Sequence, residues 1–148
     1  MEIKVEIKNL DAIRSSMMKS PEIVSRHINT AIKKSIFDIR NEVVSGTRFK
    51  RGHGSSGILG SMEVAWGPLR GELYPTKFYS IFVHQGTGIY ASDGSGRKTP
   101  WRYKDSGVKW WFTRGQRPNP FMQNAVDKTQ EKVNKNFEQG LSDALNEI

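Results

Sequence analysis

The chain has 148 residues, 36% of them hydrophobic, and carries 23 Lys and Arg against 15 Asp and Glu for a formal net charge of +8. That length suits one domain burying roughly two-thirds of its unfolded surface, and no run approaches the roughly 18 apolar residues of a membrane helix, so no membrane role is expected. The absence of cysteine excludes disulfides, zinc–cysteine sites and thiol nucleophiles and fits a reducing cytoplasm, while the basic balance favours nucleic acid or acidic protein surfaces as partners.

Residues 2–8 alternate Ile3, Val5 and Ile7 with Glu2, Lys4, Glu6 and Lys8, the period-two pattern of a strand with one wet face. They lack the continuous apolar core of a secretory signal, so export by that route is not expected. A short helical segment follows from Leu10 to Met18. Ser20-Pro21-Glu22 then supplies an N-cap, a proline at the first helical position and an acid in the first turn. Val24, Ile28, Ala31, Ile32, Ser35, Ile36, Ile39 and Val43 continue at spacings of three and four, predicting an amphipathic helix over about 21–45. His27 lies beside that stripe with no second ligand at metal spacing, and reads as the edge of a packed face.

Between Gly46 and Ser61 the composition shifts to five glycines, four serines or threonines and three basic residues in sixteen positions. Such a stretch is a loop, either a solvated arm or one that orders against a partner. Arg48, Lys50, Arg51 and His53 have the chemistry to hold a phosphate or an acidic partner. The glycines do not form a Walker pattern, since no Gly-Lys-Ser/Thr follows at the right spacing. Met62 to Trp66 and Gly71 to Tyr74 read as short strands joined by Gly67-Pro68-Leu69-Arg70.

Residues 77–85 come next, dense in aromatics and ending at Gly86. Phe78, Phe82 and Gln85 fall three to four apart, as do Tyr79 and Val83. Thr76 is placed to cap the start, and Gly86 to take the left-handed conformation that ends a helix. A short buried helix fits this pattern, and a strand from Phe78 to Val83 fits it nearly as well. Both readings put the segment in the core, with an exposed arm after it over 87–99.

Pro100 to Lys104 and Val108 to Phe112 flank Asp105-Ser106-Gly107, read as a hairpin with a three-residue turn and glycine where φ > 0 is needed. Trp101, Tyr103 and the 110–112 aromatics, interleaved with Arg102, Lys104, Lys109 and Arg114, have the ingredients of a base-stacking surface. The stronger reading is that a half-buried hairpin needs such aromatics, with the basic residues as its wet face. Finally, Asn119 is placed as a cap and Pro120 at the first helical position, and Met122, Val126, Thr129, Val133, Phe137, Leu141, Ala144 and Leu145 predict a helix over about 120–146. The fold class expected is α+β: a small antiparallel sheet of short strands packed with two long amphipathic helices and a short helix near 77–85. A single domain over 1–148 is expected, with flexible arms at 46–58 and 87–99.

The sequence holds no serine elbow, no HExxH and no carboxylate pair with a partner histidine, so neither an enzyme nor a cofactor is expected.

The order of features resembles the minor tail or neck proteins of siphophages, the tail-completion and head–tail joining proteins of tailed phages and prophages. Ser56-Gly57-Ile58-Leu59-Gly60-Ser61 is similar to that family's Gly-x-Leu-x-x-Ser entry to the first hairpin. Residues 79–87 are similar to its Tyr-Ala-x-Phe-Val-Glu-x-Gly-Thr, and residues 118–125 to its Pro-x-Pro-Phe-(Leu/Met)-x-x-Ala. Here His84 stands where the family has Glu, and Ser80 where it has Ala. The resemblance implies a non-enzymatic virion component, made in the bacterial host cytoplasm. It would assemble as a homo-oligomeric ring with the head connector and the tail tube or tail terminator, with DNA in the channel a further candidate contact. Candidate partner residues are Arg48, Lys50 and Arg51 in the first arm, Arg97 and Lys98 in the second, Trp101, Arg102 and Trp110 on the second hairpin, and Phe121 at the head of the last helix. The alternative function is a basic nucleic-acid-binding module using the aromatic hairpin.

Overall fold

The computed structural model describes residues 10–46, 62–105 and 107–148. The strand expected at 2–8, most of the arm expected at 46–58 and the motif at 56–61 lie outside the described residues. The architecture is α+β, as expected. Helix α1 spans Leu10–Lys19 and α2 Pro21–Gly46, followed by strands β1 (Met62–Gly67) and β2 (Arg70–Pro75), helix α3 (Ser80–Gln85), strands β3 (Trp101–Lys104) and β4 (Trp110–Thr113), and helix α4 (Phe121–Glu147). The strands form two separate two-stranded antiparallel sheets, β1–β2 and β3–β4. No described helix is long and apolar enough to cross a membrane.

Two compact units divide the chain, one of Met1–Asp38, Ala65–Glu72 and Gln130–Ile148, the other of Ile39–Val64 and Leu73–Thr129. In the first, α2 and α4 meet through small residues. A Cβ at Gly140 would stand 3.1 Å from the His27 carbonyl oxygen and 3.2 Å from the Ala31 Cβ, so the backbones approach closely only because neither side chain is large. Asn136 is buried there and donates through Nδ2 to Ser35 Oγ at 3.3 Å and to Asp38 Oδ2 at 2.8 Å. Near the end of α4, Glu147 pairs with Arg26 and with His27 Nε2, which gives the half-buried His27 a structural partner. The β1–β2 turn is the two residues Pro68-Leu69, shorter than the four expected. Leu69 takes φ 51°, and its N–H donates to Asn29 Oδ1 at 3.1 Å.

The core of the second unit is Val43, Met62, Val83, Phe121 and Ala125, with Ile39, Leu73, Tyr79 and Met122 packed against it. The 77–85 segment is helical but begins at Ser80, and its N-cap is Tyr79, with no side-chain cap hydrogen bond, in place of the expected Thr76. Only Ser80 and Val83 of α3 are buried, whereas Phe78, Ile81 and Phe82 are exposed. The expectation that this whole segment is core is therefore corrected. Six residues of helix turn only one narrow face inward, leaving Ile81 and Phe82 outside it, and Phe78 lies in the turn before the helix. Gly86 ends α3 at φ 80°, ψ 175°, outside the left-handed helical region expected for it.

The second hairpin pairs Trp101 with Thr113, Arg102 with Phe112, Tyr103 with Trp111 and Lys104 with Trp110. Its loop is thus five residues long, not three, and the positive φ falls on Val108 at 72° and not on Gly107. A β-branched residue in that region is strained. Val108→Gly is expected to raise stability by about 1 kcal/mol, read as a higher urea midpoint at unchanged slope; a lower midpoint would contradict the strain.

Candidate functional site

Two of the three motif segments meet in the second unit. The Asn119 N–H donates to the Val83 carbonyl at 2.9 Å and the Thr87 N–H to the Gln116 carbonyl at 2.9 Å. The Gln116 N–H returns to Thr87 Oγ1 at 2.9 Å, and the Ile89 N–H reaches the Arg114 carbonyl at 3.2 Å. Val83 and Phe121, one from each motif, share the core. The His84 ring stands edge-on to Phe121, centroids 5.8 Å apart at 77°. Backbone packs on backbone here because Gly88 (φ 62°) and Gly115 (φ 128°) have no side chains. A Cβ on Gly88 would lie 2.8 Å from the Arg114 carbonyl carbon, and one on Gly115 would lie 2.7 Å from that of Thr87.

The stretch expected as an arm over 87–99 is tied down in its first half. It passes through a 3-10 turn at Gly88–Tyr90, and the Ser92 N–H donates to the Gln85 carbonyl at 2.9 Å. Beyond it, Asp93 accepts from Ser95 N at 3.0 Å and Ser95 Oγ at 2.8 Å, and Lys98 Nζ donates to the Gly94 carbonyl at 2.9 Å. Arg97 lies 5.8 Å over the Trp101 ring and donates through Nε to Thr99 Oγ1 at 3.1 Å. Phe82, Gly88, Asp93, Arg97 and Trp101 help line a cavity of about 380 Å³ beside this loop. Its guanidinium and its one carboxylate are both engaged by neighbouring side chains or backbone.

On the β3–β4 hairpin, Asp105 organises the turn. It accepts from the backbone N–H of Gly107 at 2.9 Å and of Lys109 at 3.0 Å through one oxygen, and from the Trp111 indole N–H at 2.8 Å through the other. Lys109 Nζ sits 4.3 Å over the Trp111 ring. The Trp111 indole is the first cause that holds the Asp105 carboxyl below its ordinary 3.8, the Lys109 and Gly107 N–H groups adding to it. A pKa lowered in the folded hairpin lends stability that is complete above the unfolded value and is lost as pH falls through the folded one. The Trp111 indole N–H resonance is thus expected to hold its position from neutral pH down to about pH 4 and to move only below it. A transition completed above that point would contradict the bond.

Of the residues expected to meet partners, Arg102 and Trp110 are exposed and share one face of the hairpin, while Trp101 lies on the other with Arg97 against it. Lys98 is exposed and Phe121 is only 4% exposed, so Phe121 is a core residue and not a surface open to a partner. Arg48, Lys50 and Arg51 lie outside the described residues. The expectation of a half-buried aromatic hairpin is also corrected: Tyr103, Trp110, Trp111 and Phe112 are all exposed, because a two-stranded hairpin has no core of its own and these side chains are left without a second layer over them among the described residues. Lys104 and Phe112, which the sequence placed in the base-stacking surface but not among the candidate partner residues, belong with Arg102 and Trp110 on that face. Their signal was the two-residue alternation along each strand. Among the described residues no group of three or more His, Asp or Glu could hold a metal ion. No family model matches the chain, and neither does any curated protein or solved structure.

Proposed function

We propose that the chain is a structural virion protein of a tailed phage or prophage, a minor tail or neck component that works at the head–tail junction in tail completion or head–tail joining. The observation that carries this reading is the junction just described. Residues 79–87 and 118–125, which bear the resemblance and stand about thirty positions apart, are joined by the bond from the Asn119 N–H to the Val83 carbonyl and by the core that Val83 and Phe121 share, and the adjoining residues 87–89 and 114–116 extend the backbone contact. A motif pair that builds a single feature is a better basis for a family resemblance than two unrelated matches. The exposed Phe78, Ile81 and Phe82 adjoin that junction in sequence, and an apolar surface of this kind suits burial against a neighbouring subunit. In this reading the protein is made in the host cytoplasm and acts in the virion without catalysis. It contacts copies of itself and the head connector, tail tube or tail terminator.

The test is localisation. Purified particles of the phage that carries the gene are expected to contain the chain by mass spectrometry, with gold-labelled antibody at the head–tail joint. Its absence from purified particles, or label scattered over the capsid, would overturn the reading.

A further inference from the structure

The register of β3 and β4 puts Arg102 opposite Phe112 and Lys104 opposite Trp110. Directly opposite residues point to the same side of a sheet, about 5 Å apart at Cβ, and successive same-side residues follow about 7 Å along the strand. One face of the hairpin therefore carries two cations on one strand and two large aromatic rings on the other. Trp110 is 64% and Phe112 66% exposed. Among the described residues neither the Arg102 nor the Lys104 side chain makes a hydrogen bond, an ion pair or a ring contact. The hairpin's other face differs, since Arg97 covers Trp101 and Lys109 covers Trp111.

Charge singles out this region. Residues 97–117 hold seven basic side chains against the one acid Asp105, a net of +6 out of the chain's +8. Asp105 is fully engaged with Gly107, Lys109 and Trp111, and none of the paired strand residues on the Arg102 face is a carboxylate. Free cations beside uncovered aromatic rings match a strand with phosphates on one side and unpaired bases on the other, because every base has a π-face to stack. A duplex keeps its bases stacked on one another and has no use for the rings. An acidic peptide would meet the cations but leave both rings uncovered. The Arg and Lys N–H groups that meet phosphate would also donate to a ribose 2′-hydroxyl oxygen, but no side chain of the face accepts the 2′-hydroxyl proton, so the face has the chemistry for phosphate and base without requiring a ribose.

We infer that the Arg102–Lys104–Trp110–Phe112 face binds single-stranded DNA, with bases on Trp110 and Phe112 and phosphates on Arg102 and Lys104. The inference rests on the hairpin and stands independently of the virion reading.

The test uses the full chain and a fluorescein-labelled oligothymidylate of about 12 nucleotides, followed by anisotropy at several salt concentrations. The expected result is binding that is tighter than to a duplex of equal length. It should weaken about tenfold or more in Trp110→Ala and in Phe112→Ala, and recover in part in Trp110→Phe. The double variant Arg102→Gln, Lys104→Gln is expected to lower the slope of log affinity against log salt by about 1.4, two phosphates at about 0.7 each. Trp66→Ala, in the first hairpin, should bind as the parent does. Unchanged circular dichroism and an unchanged Trp111 indole resonance show that each variant keeps its fold, and the charge variants test the face even if an aromatic one does not. Four results would overturn the inference: no binding at about 0.1 M salt, equal or tighter duplex binding, indifference to Trp110 and Phe112 together, or oligouridylate bound more than tenfold tighter than oligothymidylate.

Discussion

Replacing Gly88 with alanine is expected to destabilise the protein by about 3 kcal/mol or more, well beyond the ordinary cost of a glycine substitution. Two effects add. At φ 62° an L-residue carries a penalty of about 1–2 kcal/mol. The new Cβ would also press on the Arg114 carbonyl, which is backbone and cannot swing aside. Relief requires parting residues 87–89 from 114–116, and so losing the bonds from Thr87 to Gln116 and from Ile89 to Arg114. Gly115→Ala attacks the same contact from the other side. The pair is expected to be less than additive, because one substitution already opens the contact. An unfolding free energy from urea titration for Gly88→Ala within about 0.5 kcal/mol of the parent would mean that the two segments are not locked together.

Phe121→Ala is the second large effect, a loss of about 3–5 kcal/mol. The ring is 4% exposed and packs with Val43, Met62, Val83 and Ala125, and its removal leaves His84 without an edge-on partner. Phe78 gives the opposite outcome although it too is a phenylalanine in the resembling region. At 82% exposure, Phe78→Ser is expected to leave folding stability within about 0.5 kcal/mol and to impair assembly into particles. Equal losses of stability in the two variants would contradict both the core and the surface assigned here.

The two phenylalanines also show what the sequence could express. The long helices were legible because their apolar residues recur at three and four over seven turns, and the α+β class followed from them. The inward face of α4 was less legible. Its buried positions include Phe121, Ala125, Thr129, Asn136, Gly140 and Ala144, whereas Leu141 and Leu145 face outward. An apolar stripe cannot reveal a seam built from glycine, alanine and a hydrogen-bonded asparagine, since what selects those residues is the close approach of α2 at Ala31 and Ser35. In the 77–85 segment hydrophobicity overstated burial, because a short helix has too little surface to bury every large side chain it bears. The hairpin's turn was misread for a different reason. Asp105, not Gly107, organises it, and the carboxylate's three bonds hold a five-residue loop in which Val108 takes the positive φ. The aromatic and basic residues of the site were visible as composition. Their sorting onto faces needed the register.

Electron microscopy of lysates from the parent phage and from one with this gene deleted tests the proposed role most directly. The account predicts DNA-filled heads lying apart from tails, or tails of abnormal form, with normal joining restored when the gene is supplied in trans. Normal, infectious particles from the deletion strain would contradict it.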